Sequence, residues 1–213
     1  MKKSGKKFGI PLALLAAFAL WTIAVRTVDV RSIGPQGSRV GFAGMNQFIH
    51  ELTGVHLSLY TITDWLGLVP AGICAGFGML GLAQWIRRRA LRKVDFSILA
   101  LGGFYVAVIA AYLFFERFAV NYRPVLIDGR LEASYPSSTT LLAMCVMPTA
   151  LMQLKSRMKP GALRHWLCLA IIAFTAFIVV GRLLSGVHWL TDIIGGALLS
   201  AGLVTMYTSV TGL

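Results

Sequence analysis

Six apolar runs, each near the length of a membrane-spanning helix, leave this chain few ways to fold. They fall at 8–25, 65–86, 96–115, 139–154, 166–184 and 189–210. A hydrocarbon core about 30 Å thick needs roughly 20 apolar residues per helix, and in lipid only a helix or a closed barrel satisfies its own backbone. With 57% hydrophobic and 13% charged residues among 213, the chain has too few polar side chains to cover a water-soluble core of this size. The reading is all-α: one domain over residues 1–213, an integral membrane bundle of six transmembrane helices plus a short interfacial helix after the first. The run at 139–154 is the shortest, and Pro136 suits a first helical turn, so that helix is expected to open there.

The segment MKKSGKK ahead of the first run has the look of a secretory leader. The run continues into WTIAVRTVDVR with no small-x-small cleavage site close by, so a retained first helix is expected. In GMNQFIHELTGVHLSLY, Phe48, Leu52, Val55 and Leu59 are spaced for one helical face, which suits a helix lying along the interface. Lys and Arg gather on the side that is not translocated. A cytoplasmic amino terminus puts thirteen basic residues inside: Lys2, Lys3, Lys6 and Lys7, the RRRALRK connection, and Lys155, Arg157, Lys159 and Arg164. Both termini are then cytoplasmic, in a multi-pass protein of the plasma membrane. The net charge of +12 is that of topogenic, headgroup-binding loops and calls for no nucleic acid.

Seven arginines remain for the outer side, and topology does not explain them. The stretch VGRLLSGVHWLTDIIGGALLS is apolar enough for a bilayer yet holds Arg182, His188 and Asp192; ionisable groups there are costly and point to function. His188 and Asp192 are four apart, on one helical face. A carboxylate holding one ring nitrogen leaves the other free as a base or nucleophile, although a headgroup-level histidine paired with an acid has the same spacing. Arg123, in NYRPVLIDGRLEASYPSS, and Arg182 come out on the same membrane face as His188. The guanidinium fork is the natural partner of a phosphate.

Arg123-Pro124, then Pro136-Ser137-Ser138-Thr139, then Gly181-Arg182 with His188 and Asp192 resemble the three motifs of the type-2 phosphatidic-acid phosphatase superfamily. Those motifs are Lys-x6-Arg-Pro, Pro-Ser-Gly-His and Ser-Arg-x5-His-x3-Asp. The resemblance implies a membrane phosphatase whose substrate is a lipid in the bilayer. His188 would take the phosphoryl group as a phosphohistidine, with Asp192 orienting it. Arg123 and Arg182 would clamp the phosphate oxygens. Ser137, with the amides of Ser138 and Thr139 at a helix opening, would complete the cradle. No metal and no cofactor is implied.

Three departures from the motifs stand out. Glu116 occupies the lysine position, and either Arg117, one residue late, substitutes for the lysine by a local shift or one clamp is missing; Gly181 replaces a serine; Thr139 replaces the second histidine, which protonates the leaving oxygen. An alcohol leaving group, with a pKa near that of water at about 15, needs that proton, and losing the acid costs roughly 10²–10⁴ in rate. A phosphate, with a second pKa of about 6, departs without it. A lipid diphosphate such as a polyprenyl diphosphate is therefore the more forgiving substrate. His50 or His56 in the interfacial segment is a candidate replacement acid. The alternative from another class is a non-catalytic lipid-phosphate binder or transporter.

The remaining features read more simply. Cys74, Cys145 and Cys168 fall inside helices as packing residues, and Gly72, Gly76, Gly78, Gly81, Gly195 and Gly196 are expected to permit close helix contact. Asp128-Gly129 predicts a turn, and Glu132 is a candidate partner for Arg130.

Overall fold

The computed structural model describes residues 7–213. Lys2, Lys3 and Lys6, counted above toward the cytoplasmic side, lie outside the described residues. The chain forms α1 (Gly9–Thr27), α2 (Ala43–Thr53), α3 (Leu57–Leu66), α4 (Leu68–Arg88), α5 (Phe96–Arg117), α6 (Ser138–Arg157), α7 (Ala162–Leu184) and α8 (Leu190–Thr211). Among the described residues, β-pairing is confined to three isolated bridges.

Among the described residues, five helical segments are long and apolar enough to cross a membrane: α1, α3 running on into α4, α5, α7 and α8. The expected sixth, α6, has 20 residues but includes Pro148, Gln153, Lys155 and Arg157. Its position explains the weaker apolar signal. It packs against α4, α5, α7 and α8, so much of its surface meets protein rather than lipid, and Thr140, Thr149 and Gln153 on it are fully buried. Gln153 Nε2 donates to the Tyr207 hydroxyl at 2.6 Å, and that hydroxyl donates to Ser97 O at 3.1 Å. Satisfied in this way, a polar side chain can sit inside the bundle. The helix opens at Ser138 rather than at Pro136, with Ser137 as the residue before it. The Ser137 amide donates to Asp192 O at 3.1 Å, which takes that residue out of the helical ladder.

The core gathers Phe18 and Val25 of α1, Leu101, Phe104, Tyr105 and Val108 of α5, Leu141, Cys145 and Val146 of α6, and Leu199, Val204 and Tyr207 of α8. At one end of the bundle Asp95 ties three helices together. It accepts from Arg88 at 2.8 Å, Arg157 at 3.0 Å and Gln84 at 2.9 Å. The hydrogen bonds from Arg88, Gln84 and Arg157 hold its carboxyl down at about 2. At the other end the buried Asn46 of α2 donates to Gly41 O at 2.8 Å and to Thr191 Oγ1 at 3.0 Å, fixing α2 against the start of α8.

One continuous interfacial helix through Phe48, Leu52, Val55 and Leu59 does not form. Gly54, with φ 70° and ψ −167°, ends α2 in a conformation that a side chain disfavours. Phe48 and Leu52 stay exposed on α2, whereas Leu59 belongs to α3 and lies against Gly181 of α7. The His56 amide donates to Ser185 O at 3.0 Å, so the α2–α3 link rests on the α7–α8 link.

The glycines divide. A Cβ on Gly195 would lie 2.5 Å from the Tyr135 ring, and one on Gly196 3.2 Å from Thr140; on Gly81 it would meet Ile98 at 3.1 Å. Gly72, Gly76 and Gly78 have nothing within 4 Å at that position, so close contact does not account for them. Gly195→Ala is expected to destabilise the fold by about 1–3 kcal/mol, the usual cost of overpacking. Gly72→Ala is expected to be neutral or mildly stabilising, as alanine is the better helix former. Thermal unfolding of the two variants in detergent micelles compares them.

Candidate active site

Three chain segments meet around His188. The connection between α5 and α6 doubles back through a two-residue turn at Asp128 and Gly129, both with positive φ, as a tight hairpin requires. Ile127 and Arg130 exchange backbone hydrogen bonds across it. The returning arm brings Glu132 opposite Arg123, whose amide donates to Glu132 O at 3.0 Å. Glu132 pairs through its side chain with Arg123, Oε2 to Nε at 3.0 Å, and not with Arg130. The Trp189 indole donates to Tyr122 O at 2.8 Å, fastening this hairpin to the start of α8 beside His188.

Arg123, Arg182, His188 and Asp192 are 8%, 1%, 3% and 0% exposed. Arg123 Nη1 donates to His188 Nε2 at 3.3 Å. A guanidinium only donates, so Nε2 presents its lone pair and the ring proton is left to Nδ1, which faces Asp192 Oδ2 at 3.6 Å. Asp192 is held in place by the Trp189 amide at 2.9 Å and by Asn121 Nδ2 at 3.2 Å. Burial, and then repulsion from Arg123 and Arg182, push the His188 imidazole well below the ordinary histidine range. The ring is therefore neutral at physiological pH, the state a nucleophile needs.

Arg182 is placed by α3. Its Nη1 donates to Thr63 Oγ1 at 3.4 Å and lies 3.6 Å from Asp64 Oδ1. Its guanidinium stands 4.8 Å from the centre of the Tyr60 ring, and that of Arg123 stands 5.7 Å from the same ring. Tyr60 thus links the two arginines. The sequence reading missed Tyr60, Thr63 and Asp64, although their spacing of three and four marks one helical face. Gly181 also finds its reason here. A Cβ in its place would come 2.8 Å from Thr63 Cγ2, so glycine lets α3 approach and Thr63 supplies a hydroxyl to Arg182.

His188 opens on a polar cavity of about 290 Å³ shared with Arg123, Glu132, Ser134 and Ser138. Glu116 lines it as well, while Arg117 lies 5.6 Å over Phe118 and is absent from the cavity wall. Ser137 is fully buried with its hydroxyl unpartnered, at the opening of α6, where the first amides are free of helical bonds. Thr139 lines a second, larger and mainly apolar cavity of about 600 Å³ with Asp64, Gly67 and Leu68. His50 packs on Trp189 at 5.4 Å, and burial lowers its pKa. His56 contacts Thr53 O at 2.9 Å from an exposed position. Neither histidine lines the His188 cavity. Among the described residues no group of three or more His, Cys, Asp or Glu is placed to hold a metal ion.

Residues 96–212 match the family model of the PAP2 superfamily, the type-2 phosphatidic-acid phosphatases. The chain belongs to the PAP2 superfamily. No curated protein matches it significantly. Among solved structures it is similar to a transmembrane PAP2-type phosphatidylglycerolphosphate phosphatase from Bacillus subtilis. That likeness has a TM-score of 0.53 at 17% identity and covers 95% of this chain and 96% of the other, which establishes a shared fold. The protein is a multi-pass membrane protein, and its PAP2 membership supports a lipid phosphatase role.

Two outcomes are expected for this PAP2 site. Because the free His188 ring titrates below the ordinary histidine range, the acid limb of kcat/KM, which reports free-enzyme pKa values, lies below pH 6.5; a pH–rate profile checks it. Tyr60→Ala weakens inhibition by orthovanadate about five- to tenfold, as expected for loss of a partly desolvated cation–π contact, whereas Tyr60→Phe leaves it within about twofold.

Proposed function

We propose that the protein is a metal-independent phosphatase of a membrane lipid phosphate or diphosphate, acting through a phosphohistidine. The observation that carries this reading is the contact of Arg123 Nη1 with His188 Nε2 at 3.3 Å, with Asp192 behind the ring. It leaves a neutral imidazole nitrogen beside a phosphate-binding guanidinium. In the first step Nε2 attacks phosphorus and the lipid oxygen departs; Asp192 steadies the charge that develops on the ring. Arg123 and Arg182 balance the equatorial oxygens, with Ser137 and the amides of Ser138 and Thr139 at the α6 opening completing the cradle. Water then cleaves the phosphorus–nitrogen bond and releases phosphate.

The residue at the family's acid position is Thr139, and it lines the apolar cavity rather than the polar one. A weakly basic leaving group suits such a site, so a polyprenyl diphosphate is favoured over a phosphatidate. The placement we propose is the plasma membrane, with both termini cytoplasmic and the site at the outer face. Supporting it, Arg87, Arg88, Arg89, Arg92, Lys93 and Arg157 gather around the bundle end that carries Asp95, away from His188.

Purified protein is expected to release phosphate from a polyprenyl diphosphate, and His188→Ala to abolish that release. Thr139→His is expected to raise turnover of a phosphomonoester lipid by about 10²-fold or more, the usual worth of a general acid. Binding of both lipids with no phosphate released from either would replace the enzyme by a lipid-phosphate binder or transporter.

A further inference from the structure

A separate polar cavity, of about 190 Å³, lies where the end of α1 meets the α5–α6 connection. Arg26, Arg39 and Asn121 supply its polar wall, and Val25, Val30 and Val120 its apolar one. It shares no residue with the cavity in front of His188. The connection from α1 to α2 builds it. Arg31 and Val40 exchange backbone hydrogen bonds at 3.1 and 2.9 Å across this connection, and its returning arm lies directly on the end of α1, where the Val25 carbonyl leaves no room for a Cβ on Gly41. That approach sets Arg39 on the same wall as Arg26. The one carboxylate in residues 28–42, Asp29, is taken by Arg31 Nε at 2.7 Å and by the Gly44 amide at 2.8 Å. Among the described residues neither Arg26 nor Arg39 forms an ion pair, and the cavity lining holds no carboxylate.

Arg26 stands in the last turn of a helix long and apolar enough to cross the membrane, and the next helix exposes Phe48 and Leu52, so the cavity lies at the level of the lipid headgroups. Two guanidinium forks beside apolar side chains suit a phosphate joined to a hydrocarbon chain. The cavity is below the roughly 300 Å³ at which pockets enclose a drug-sized ligand, so it takes the phosphate and leaves the chains in the bilayer. No histidine, cysteine, serine or threonine lines it, and a phosphodiester bound there meets no nucleophile. We propose that Arg26 and Arg39 form a second anion site that holds, uncleaved, the phosphodiester of an anionic membrane lipid, and that this lipid braces the positioning of Asp192. The route between them is short. Asn121 on the cavity wall donates through Nδ2 to Asp192 Oδ1 at 3.2 Å and to Thr191 Oγ1 at 3.3 Å. Gly41 O accepts from Asn46 Nδ2 at 2.8 Å, which also donates to Thr191 Oγ1 at 3.0 Å, and the Thr191 amide donates back to Asn46 Oδ1 at 3.2 Å. A lipid held by Arg26 and Arg39 restrains the arm that carries Gly41, and a connected hydrogen-bond network passes that restraint to the partners of Asp192.

The test uses the full-length protein in nanodiscs of phosphatidylcholine and phosphatidylglycerol in equal parts, with the lipids retained after transfer to detergent counted by native mass spectrometry. The parent is expected to retain phosphatidylglycerol selectively. Arg26→Gln or Arg39→Gln cuts that selectivity about tenfold, the worth of one hydrogen bond to a charged group. Arg130→Gln, which removes the same charge from a residue that does not line the cavity, leaves it unchanged. All three residues are exposed, so the substitutions spare the fold. An equal fall in all three variants, or a fall in none, overturns the site, because a general surface field or another surface then holds the lipid. Displacement of the lipid by millimolar inorganic phosphate at matched ionic strength names the free anion as the occupant and overturns the lipid assignment. Bracing is read by hydrogen–deuterium exchange of the Trp189 and Thr191 amides, which donate to Asp192 Oδ2 and Asn46 Oδ1. Adding phosphatidylglycerol to phosphatidylcholine nanodiscs slows both severalfold in the parent and in neither Arg26→Gln nor Arg39→Gln; unchanged exchange in the parent beside selective retention overturns the bracing. Neither readout needs turnover, so both stand or fall apart from the phosphatase reading.

Discussion

Two buried guanidinium groups that must stay charged and near each other set the terms for this end of the molecule. Each repels the other and neither can be left without partners, because an uncompensated buried charge is strongly destabilising. The fold answers with separate sets of neighbours. Arg123 has Glu132 across the hairpin and His188 on α8's side; Arg182 has Thr63 and Asp64 on α3; the Tyr60 ring serves both. The hairpin, the break at Gly54 that frees α3 from α2, and the close seam at Gly181 are what bring those neighbours into reach.

Much of this was legible in the chain, for reasons that differ residue by residue. The apolar runs located their helices closely because transfer to lipid acts on each segment by itself. Helix α8 was found to within one residue at each end and α7 at its close, while the start of α7 lies four residues earlier, at the polar Arg164 and His165 that an apolar run leaves out. Helix α6 gave a weaker signal because protein surrounds it, so its composition answers to neighbours that sequence does not display. The spacing of His188 and Asp192 is local and could be read directly. The partner of Glu132 was misassigned to Arg130 because the turn at Asp128 and Gly129 was foreseen but the register of its arms was not. Tyr60 went unnoticed because what makes it matter is the presence of two distant arginines over one ring.

The departures from the family motifs differ in kind once they are seen in place. Gly181 is compensated: the space that a serine would fill is taken by Thr63, and a hydroxyl still reaches Arg182. Arg117 does not stand in for the lysine, since it lies over Phe118 and leaves Glu116 on the cavity wall. Thr139 belongs to the wall of the apolar groove. Loss of one cation and gain of one carboxylate change the electrostatics of the cavity more than the change at Gly181 does, because neighbouring charges act strongly where water is scarce.

Asp95 gives the bundle a fixed datum. Its partners come from near the end of α4 and the end of α6, and it stands immediately before α5, so these three helices start their count from a common point. From there α5 runs unbroken to Glu116, with about 1.5 Å of rise and 100° of rotation for each residue. The length of α5, and not merely its apolar character, therefore decides which side chain faces His188. Inserting or deleting a single residue between Asp95 and Glu116 would turn another side chain toward the cavity, much as a miscut key presents the wrong tooth.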